Sequence, residues 1–281
     1  MKKEKNKQWL CLLTGISLLA ALTACTGETL LSPSGEGKPV IVNAEISDEP
    51  VSEITSRALA EENTYDRSTF ITNDRIRITR TTRTSKSEAV DYQLGADNQW
   101  TVATPLTLLA GASYQAVYPA GSDAGIMYDQ SSAANYIKSN RLVSAIINAP
   151  ATEKLNFSFG HQNTKLTLVF QPKQTGTLPA DFSFQVSGAG LLTGGTTIEI
   201  IKLYHPGDLT WCGIVYPKGV STSVSIKMTY DEVTYSSTID CALAAGTHYK
   251  YTLQLHNDIL VPEESNIAGW IDDNAHTGPL N

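Results

Sequence analysis

The sequence predicts an all-β protein of two tandem β-sandwich domains. Three observations support this class. Short segments alternate apolar and polar residues, turn residues recur at intervals of roughly 8–12 residues, and no segment shows the period of an amphipathic helix. The chain has 281 residues, which suits two domains that each bury their own core.

The N-terminus has the features of a lipoprotein signal peptide, predicted over residues 1–24. A basic start is followed by the apolar run Trp9–Leu22, which is too short to span a bilayer comfortably. The run ends in Leu22–Cys25 (Leu-Thr-Ala-Cys), which is similar to a lipobox, so Cys25 is the predicted site of lipid attachment. This places the protein at the cell outer membrane, lipid-anchored. The alternative is an ordinary secretory signal with a chance cysteine.

The charge balance argues against a nucleic-acid partner. The chain has a formal net charge of −7, and removal of the signal takes away four lysines and one glutamate, which makes the remainder more acidic. Nucleic-acid binding needs clustered positive charge. A local basic cluster spans Arg75–Lys86. It is interpreted as the outward face of a strand and hairpin, with an anionic-ligand patch as the alternative.

The predicted N-terminal domain, residues 40–150, follows a Gly-, Ser- and Pro-rich tether over residues 25–39. Its first strand is Val40–Ile46, which alternates like a core strand. A polar stretch containing Arg57 and Ala58 comes next. Further strands are predicted at Asp74–Arg80 and Tyr114–Pro119. The stretch 121–140 is interpreted as a long loop, in which Tyr128 and Tyr136 are either ligand contacts or ordinary exposed tyrosines.

The predicted C-terminal domain, residues 151–281, starts after the change in composition around Pro150. Its predicted strands are Leu155–His161, Lys165–Phe170, Phe182–Val186, Thr196–Ile201, Thr210–Tyr216, Val224–Tyr230, Val233–Ile239, Tyr249–Leu255 and Ile259–Val261. In the strand that follows the turn residue Gly246, Tyr249, Tyr251, Leu253 and Leu255 share one face, which predicts a half-buried strand with an apolar inner face.

Three motifs carry a resemblance to a known family. They are Gly246 followed by Tyr-x-Tyr-x-Leu-x-Leu and Ile-x-x-Trp270, then Phe-x-Phe-x-His-x-x-x-Lys-Leu from Phe157, and Tyr-x-Ala-x-Tyr-Pro from Tyr114. This pattern resembles the fimbrillin (Mfa-like) family, lipoprotein-derived subunits of type V pili. The resemblance implies a transthyretin-like sandwich in each domain, a fimbrium at the cell surface, and assembly with other pilin subunits by β-strand exchange.

The resemblance also implies proteolytic processing at Arg57–Ala58 by an arginine-specific protease. A solvated loop arginine is the alternative, and Arg67 is a less well-placed rival site. The eleven residues after Trp270 are polar and would make a poor donor strand. A tip, anchor or accessory subunit, with a host or bacterial surface ligand as a further partner, is therefore predicted over a stalk subunit.

The cysteines suggest one tentative disulfide. Cys11 leaves with the signal and Cys25 carries the lipid, so Cys212 and Cys241 remain in an exported chain. Two unrelated buried thiols are the alternative.

The sequence predicts no enzyme and no cofactor or metal. It lacks the Gly-x-Ser-x-Gly, His-Glu-x-x-His and P-loop motifs. His161 has no ligand-type residue at metal-site spacing and is interpreted as a structural histidine. The alternative function is a surface glycan-binding lipoprotein, in which Trp100, Trp211 and Tyr128 would form a stacking platform.

Overall fold

The computed structural model describes residues 35–47, 69–121, 125–172, 181–256, 259–269 and 277–278. The predicted signal peptide, Cys25 and the Arg57–Ala58 bond lie outside these residues. The described part of the chain is almost entirely β-structure, so the predicted all-β class is confirmed.

The first half of the chain forms one eight-stranded sheet in the order β1-β8-β6-β5-β2-β3-β4, with β7 paired to β5. The strands are β1 (Ile41–Ile46), β2 (Arg75–Thr81), β3 (Ser87–Leu94), β4 (Trp100–Thr101), β5 (Ser113–Tyr118), β6 (Leu142–Ser144), β7 (Ile147–Asn148) and β8 (Lys154–His161). The apolar faces of these strands meet in a first core, which includes Val42, Ile78, Tyr114 and Phe157.

The second half forms two sheets, ordered β11-β10-β14-β15 and β12-β13-β9-β16-β17-β18. The strands are β9 (Thr164–Gln171), β10 (Ser183–Ala189), β11 (Ile198–Lys202), β12 (Tyr204–Gly207), β13 (Thr210–Val215), β14 (Thr222–Tyr230), β15 (Val233–Cys241), β16 (Thr247–His256), β17 (Ile259–Gly269) and β18 (Thr277–Gly278). Alternate residues from both sheets fill a second core, including Leu168, Trp211, Ile226 and Tyr251.

Strand β8 belongs to the first sheet, although the sequence analysis placed it in the second domain. It pairs with β1 and β6, and its inward residues Leu155, Phe157 and Phe159 lie in the first core. Alternation fixes which side chains point inward, but not which sheet receives them. The sheets change at Gln162–Asn163, between β8 and β9, and we propose this connection as the domain boundary.

A short helix, α1 (Ala133–Ser139), lies in the stretch predicted to be a loop. The Ser132 side chain caps its N-terminus by accepting a hydrogen bond from the Asn135 amide. Seven residues are too few for a clear 3.6-residue period, so the capping serine was the available signal.

The stretch around α1 joins the two halves of the protein. The buried Gln130 amide exchanges two hydrogen bonds of 2.8 Å with the backbone N–H and C=O of Ile214 in β13. The Tyr136 ring stacks on the Tyr204 ring, with centroids 5.4 Å apart. Tyr136 is therefore a buried contact between the halves, whereas Tyr128 is exposed.

Candidate strand-exchange site

The candidate site is the edge of the first sheet, where β1 lies. β1 runs parallel to β8, in a register from Ile41 opposite Lys154 to Ile46 opposite Phe159. Hydrogen bonds of 2.8 Å, from Ile41 N to Glu153 O and from Ser47 N to Phe159 O, extend this ladder at both ends. Within the described residues, β8 is the strand that pairs with β1.

The N-terminal end of β1 is held from a second side by the segment Leu106–Leu108. Val40 N donates to Leu106 O over 2.9 Å, and Gly37 N donates to Leu108 O over 2.8 Å. Leu108 N donates back to Lys38 O over 2.9 Å. The chain at the start of β1 is therefore hydrogen-bonded to the 106–108 segment on one side and to β8 on the other.

Side-chain burial falls from Val40, just before β1, to the end of the strand. Val40 and Val42 are only 6% and 5% exposed, whereas Ala44 and Ile46 are half-buried. On the other face, Ile41 is exposed and so is Asn43, whose Nδ2 donates to Asn156 Oδ1 of β8 over 2.8 Å. The strand is thus anchored firmly at its start and weakly at its end.

A small cavity of about 20 Å³ lies at the weak end of β1, between Ile46 and Phe70. Phe70 makes edge contacts with Trp100, Tyr118 and Phe159, at centroid distances of 5.2–5.4 Å. Ile46 and Thr69 both line this cavity. Ile46 and Thr69, which lie at or next to the two described ends of the stretch that contains Arg57, therefore border the same cavity.

The sequence predicts β1 but does not reveal its contacts with the 106–108 segment or its proximity to Phe70. The sequence indicates the Pro105–Leu109 run only as part of the general all-β pattern, and Phe70 belongs to no recognised motif. No sequence pattern connects either of them to β1, because the contacts join residues far apart in the chain.

The tentative Cys212–Cys241 disulfide does not form in this structure. Cys212 packs with Tyr136 and Ile214 at the junction of the two halves, whereas Cys241 lies in the second core. Both thiols are buried. Burial also raises the pKa of the Cys241 thiol to about 11, because a thiolate is poorly solvated there.

His161 behaves as the structural histidine predicted from its sequence context. Its Nδ1 lies 2.9 Å from Asn140 Oδ1, and its ring is buried where β8 meets the second half. Burial, with a further contribution from the Lys165 charge, holds the pKa of His161 well below its ordinary value of 6.5. The described residues contain no group of three or more His, Cys, Asp or Glu side chains arranged to hold a metal ion.

The aromatic residues of the glycan-binding alternative do not form a platform. Trp211 is buried in the second core, while Trp100 packs against the first. Of the three, Tyr128 is the large exposed aromatic, at 60%. A sugar ring needs an accessible aromatic face, so this alternative is not favoured.

The basic cluster on β2 is largely balanced by carboxylates of β3. Arg77 Nε contacts Asp91 Oδ1 over 2.7 Å, and Arg80 pairs with Glu88. Arg80 Nη1 also donates to Thr107 O over 2.7 Å. The Arg77–Asp91 pair agrees with the interpretation of an outward strand face. Arg80 lies on the face of Ile76 and Ile78, and its side chain is only 12% exposed. No helix among the described residues is long and apolar enough to cross a membrane.

Comparisons with known proteins agree with this architecture. A family model described as fimbrillin-like matches residues 56–270. A candidate cell adhesion protein from Bacteroides ovatus superposes with a TM-score of 0.60 at 16% identity, covering 84% of this chain and 99% of that chain. A second, from Bacteroides uniformis, gives 0.58 at 19% identity, covering 83% and 98%. At these identities the superpositions show the fold alone. A comparison with curated proteins finds no match.

Proposed function

Since the chain belongs to the fimbrillin-like family, we propose that it is a fimbrial subunit that assembles by exchange of its β1 strand. In this proposal Cys25 carries a lipid that anchors the precursor to the outer membrane. Cleavage after Arg57 frees the segment that contains β1, and a strand of another subunit takes its place. The proposed role is that of a tip, anchor or accessory subunit rather than a stalk subunit.

The position of β1 at the sheet edge is the observation that carries this proposal. The other seven strands of the first sheet keep their ladders when β1 leaves, because β1 pairs with β8 alone among them. An interior strand would take two ladders with it. Loss of β1 therefore opens a groove without dismantling the sheet.

The opened groove would be costly until it is refilled. The β8 backbone would lose the partner that now spans Ile41–Ile46, and the core side chains Leu155 and Phe157 would lose the cover of Val40 and Val42. Unpaired backbone groups and exposed apolar surface both favour binding of a new strand. Main-chain hydrogen bonds would supply affinity, and alternate side chains would set the register.

The position of Arg57 supports a role for cleavage. Arg57 lies between Ser47 and Thr69 in the sequence, and the chain leaves and re-enters the described structure at the Ile46 end of β1. Within the described residues, the segment before this cut is attached through β1 and the residues next to it.

Treatment of the mature chain with an arginine-specific protease tests the proposal. We expect a cut after Arg57, followed by formation of higher-order species or uptake of a peptide that copies residues 38–47. Arg57→Ala should block both, whereas the matched control Arg67→Ala should block neither. A cut chain that stays monomeric and takes up no peptide would overturn the strand-exchange proposal.

The lipid anchor has a separate test. Cys25→Ser should abolish labelling with a radioactive fatty acid and release the protein from membranes, while Cys11→Ser should leave both unchanged. Persistent labelling of the Cys25→Ser chain would exclude Cys25 as the attachment site.

A further inference from the structure

Side chains at the two ends of β1 are buried to different extents in the groove beside β8. This difference indicates which kind of strand would replace β1. At the start, Val40 and Val42 are almost completely buried among first-core residues. At the end, Ile46 is half-buried and borders a small cavity. The protein's own strand therefore fits its groove well at one end and poorly at the other.

The walls of this cavity favour a larger apolar side chain. Ile46, Phe70, Ile137 and Leu142 supply apolar surface, and the Tyr118 ring adds an aromatic wall. The polar part of the lining includes Asp74, whose Oδ1 accepts a 3.1 Å hydrogen bond from the Tyr118 hydroxyl. Phe70 already contacts three aromatic rings at its own site. An aromatic ring in place of the Ile46 side chain would join this cluster in edge contact.

Backbone contacts show the same inequality. Gly37, Lys38 and Val40, just before β1, are hydrogen-bonded to the 106–108 segment, and the ladder with β8 begins at Ile41. The Ile46 end of β1 pairs with β8. An incoming strand therefore has fewer native backbone hydrogen bonds to displace at the Ile46 end. That end also adjoins the stretch that contains Arg57.

We propose that the cavity beside Ile46 is a specificity pocket for the incoming strand. This inference rests on the proposed function and defines the partner more closely. The partner is an extended segment of another subunit that runs parallel to β8. It carries residues of valine size opposite Leu155, and an aromatic residue opposite Phe159 at the position of Ile46. Seating this residue is the first step of exchange, and pairing then proceeds toward Val40.

Peptide binding to the Arg57-cut chain tests this pocket. The probe is a labelled peptide copying residues 38–47, compared with its Ile46→Phe and Val42→Phe forms. We expect the Ile46→Phe peptide to bind about fivefold more tightly, because it buries more apolar surface in the cavity. The Val42→Phe peptide should bind more weakly, because the position of Val42 is already filled.

The outcomes separate this inference from the proposed function. If the unaltered peptide binds and the Ile46→Phe peptide binds no better, the pocket proposal is wrong while strand exchange stands. If no peptide binds, strand exchange itself is contradicted.

The intact chain gives a second measurement that does not depend on exchange. Ile46→Phe should raise its Tm by roughly 2–4 °C, and Val42→Phe should lower it. Equal decreases for both variants would show that the cavity does not accept a larger side chain.

Discussion

Strands β1 and β16 both pair in parallel with a neighbouring strand, but they differ in how many strands they pair with. Each runs parallel to one of two consecutive strands, β1 beside β8 and β16 beside β9. β1 is the edge of its sheet, whereas β16 is also paired with β17 on its other side, from Thr247–Gly269 to His256–Ile259. Along β16 the inward residues Tyr249, Tyr251 and Leu253 are all buried.

The two strands therefore differ in the number of paired neighbours and not in the direction of the parallel pairing. Removing β16 would break two ladders and remove three buried side chains from the second core. Removing β1 breaks one ladder and the short contact with the 106–108 segment. By this measure β1 is held by fewer contacts in the first sheet than β16 is in the second half.

The largest expected effect is in the core beneath β16. Leu253→Ala should lower the free energy of unfolding by about 3 kcal/mol, because Leu253 is fully buried and its removal leaves a cavity. Ile46→Ala in β1 should cost about 1 kcal/mol, since Ile46 is half-buried beside existing space. Urea unfolding of both variants measures the difference. Equal losses of unfolding free energy in the two variants would contradict the claim that β16 is packed more tightly than the end of β1.

The second effect concerns the thiol that packs against β16. Because burial raises the pKa of Cys241 to about 11, we expect its alkylation at pH 8 to be about 100-fold slower than that of an exposed cysteine. Mass mapping of the folded and the urea-unfolded protein gives the rates. Rapid modification of Cys241 in the folded protein would show that this part of the second core is open.

The third effect is a pH dependence at the end of β8, where the two halves meet. The pKa of His161 is lowered in the folded protein, so below pH 6.5 the unfolded chain binds a proton that the folded chain does not. Stability should therefore fall as the pH drops below 6.5, by up to about 1.4 kcal/mol per pH unit.

Replacement of His161 supplies the control for this dependence. His161→Gln should reduce the loss of stability between pH 6.5 and 5. Unfolding curves in urea at each pH measure this loss in both proteins. An unaltered slope in the His161→Gln chain would assign the dependence to other groups.

The smallest effect is on the exposed face of β1. Asn43→Ala removes one side-chain hydrogen bond to Asn156 and should change the free energy of unfolding by no more than about 0.5 kcal/mol. A larger loss would mean that β1 is held by this face as well as by its ladder and core contacts.

Much of this fold was predictable because alternating apolar and polar residues indicate which side chains of a strand are buried. The predicted strand Asp74–Arg80 matches β2, and the inward face of β16 was identified residue by residue. Local alternation did not reveal the sheet to which β8 belongs, since that depends on partners far along the chain. Alternation also does not reveal that His248, on the polar face of β16, is buried.

The candidate site was predictable only in part for the same reason. Val40–Ile46 was recognisable as a removable core strand from its alternation and from the polar stretch after it. Its unequal anchoring depends on Leu106–Leu108 and Phe70, which approach it only in the folded protein. Gln130 carried no signal of its role, because an amide that pairs with a distant backbone resembles any polar loop residue in sequence.

Hydrogen exchange at β1 and β16, before and after cleavage at Arg57, tests the central claim most directly. The account predicts that β1 amides exchange faster than β16 amides in the intact chain, with the Ile46 end fastest. After cleavage, addition of the 38–47 peptide should displace the native strand while β16 protection stays unchanged. Equal protection of the two strands, or loss of β16 protection together with β1, would contradict the claim that β1 is released more readily than β16.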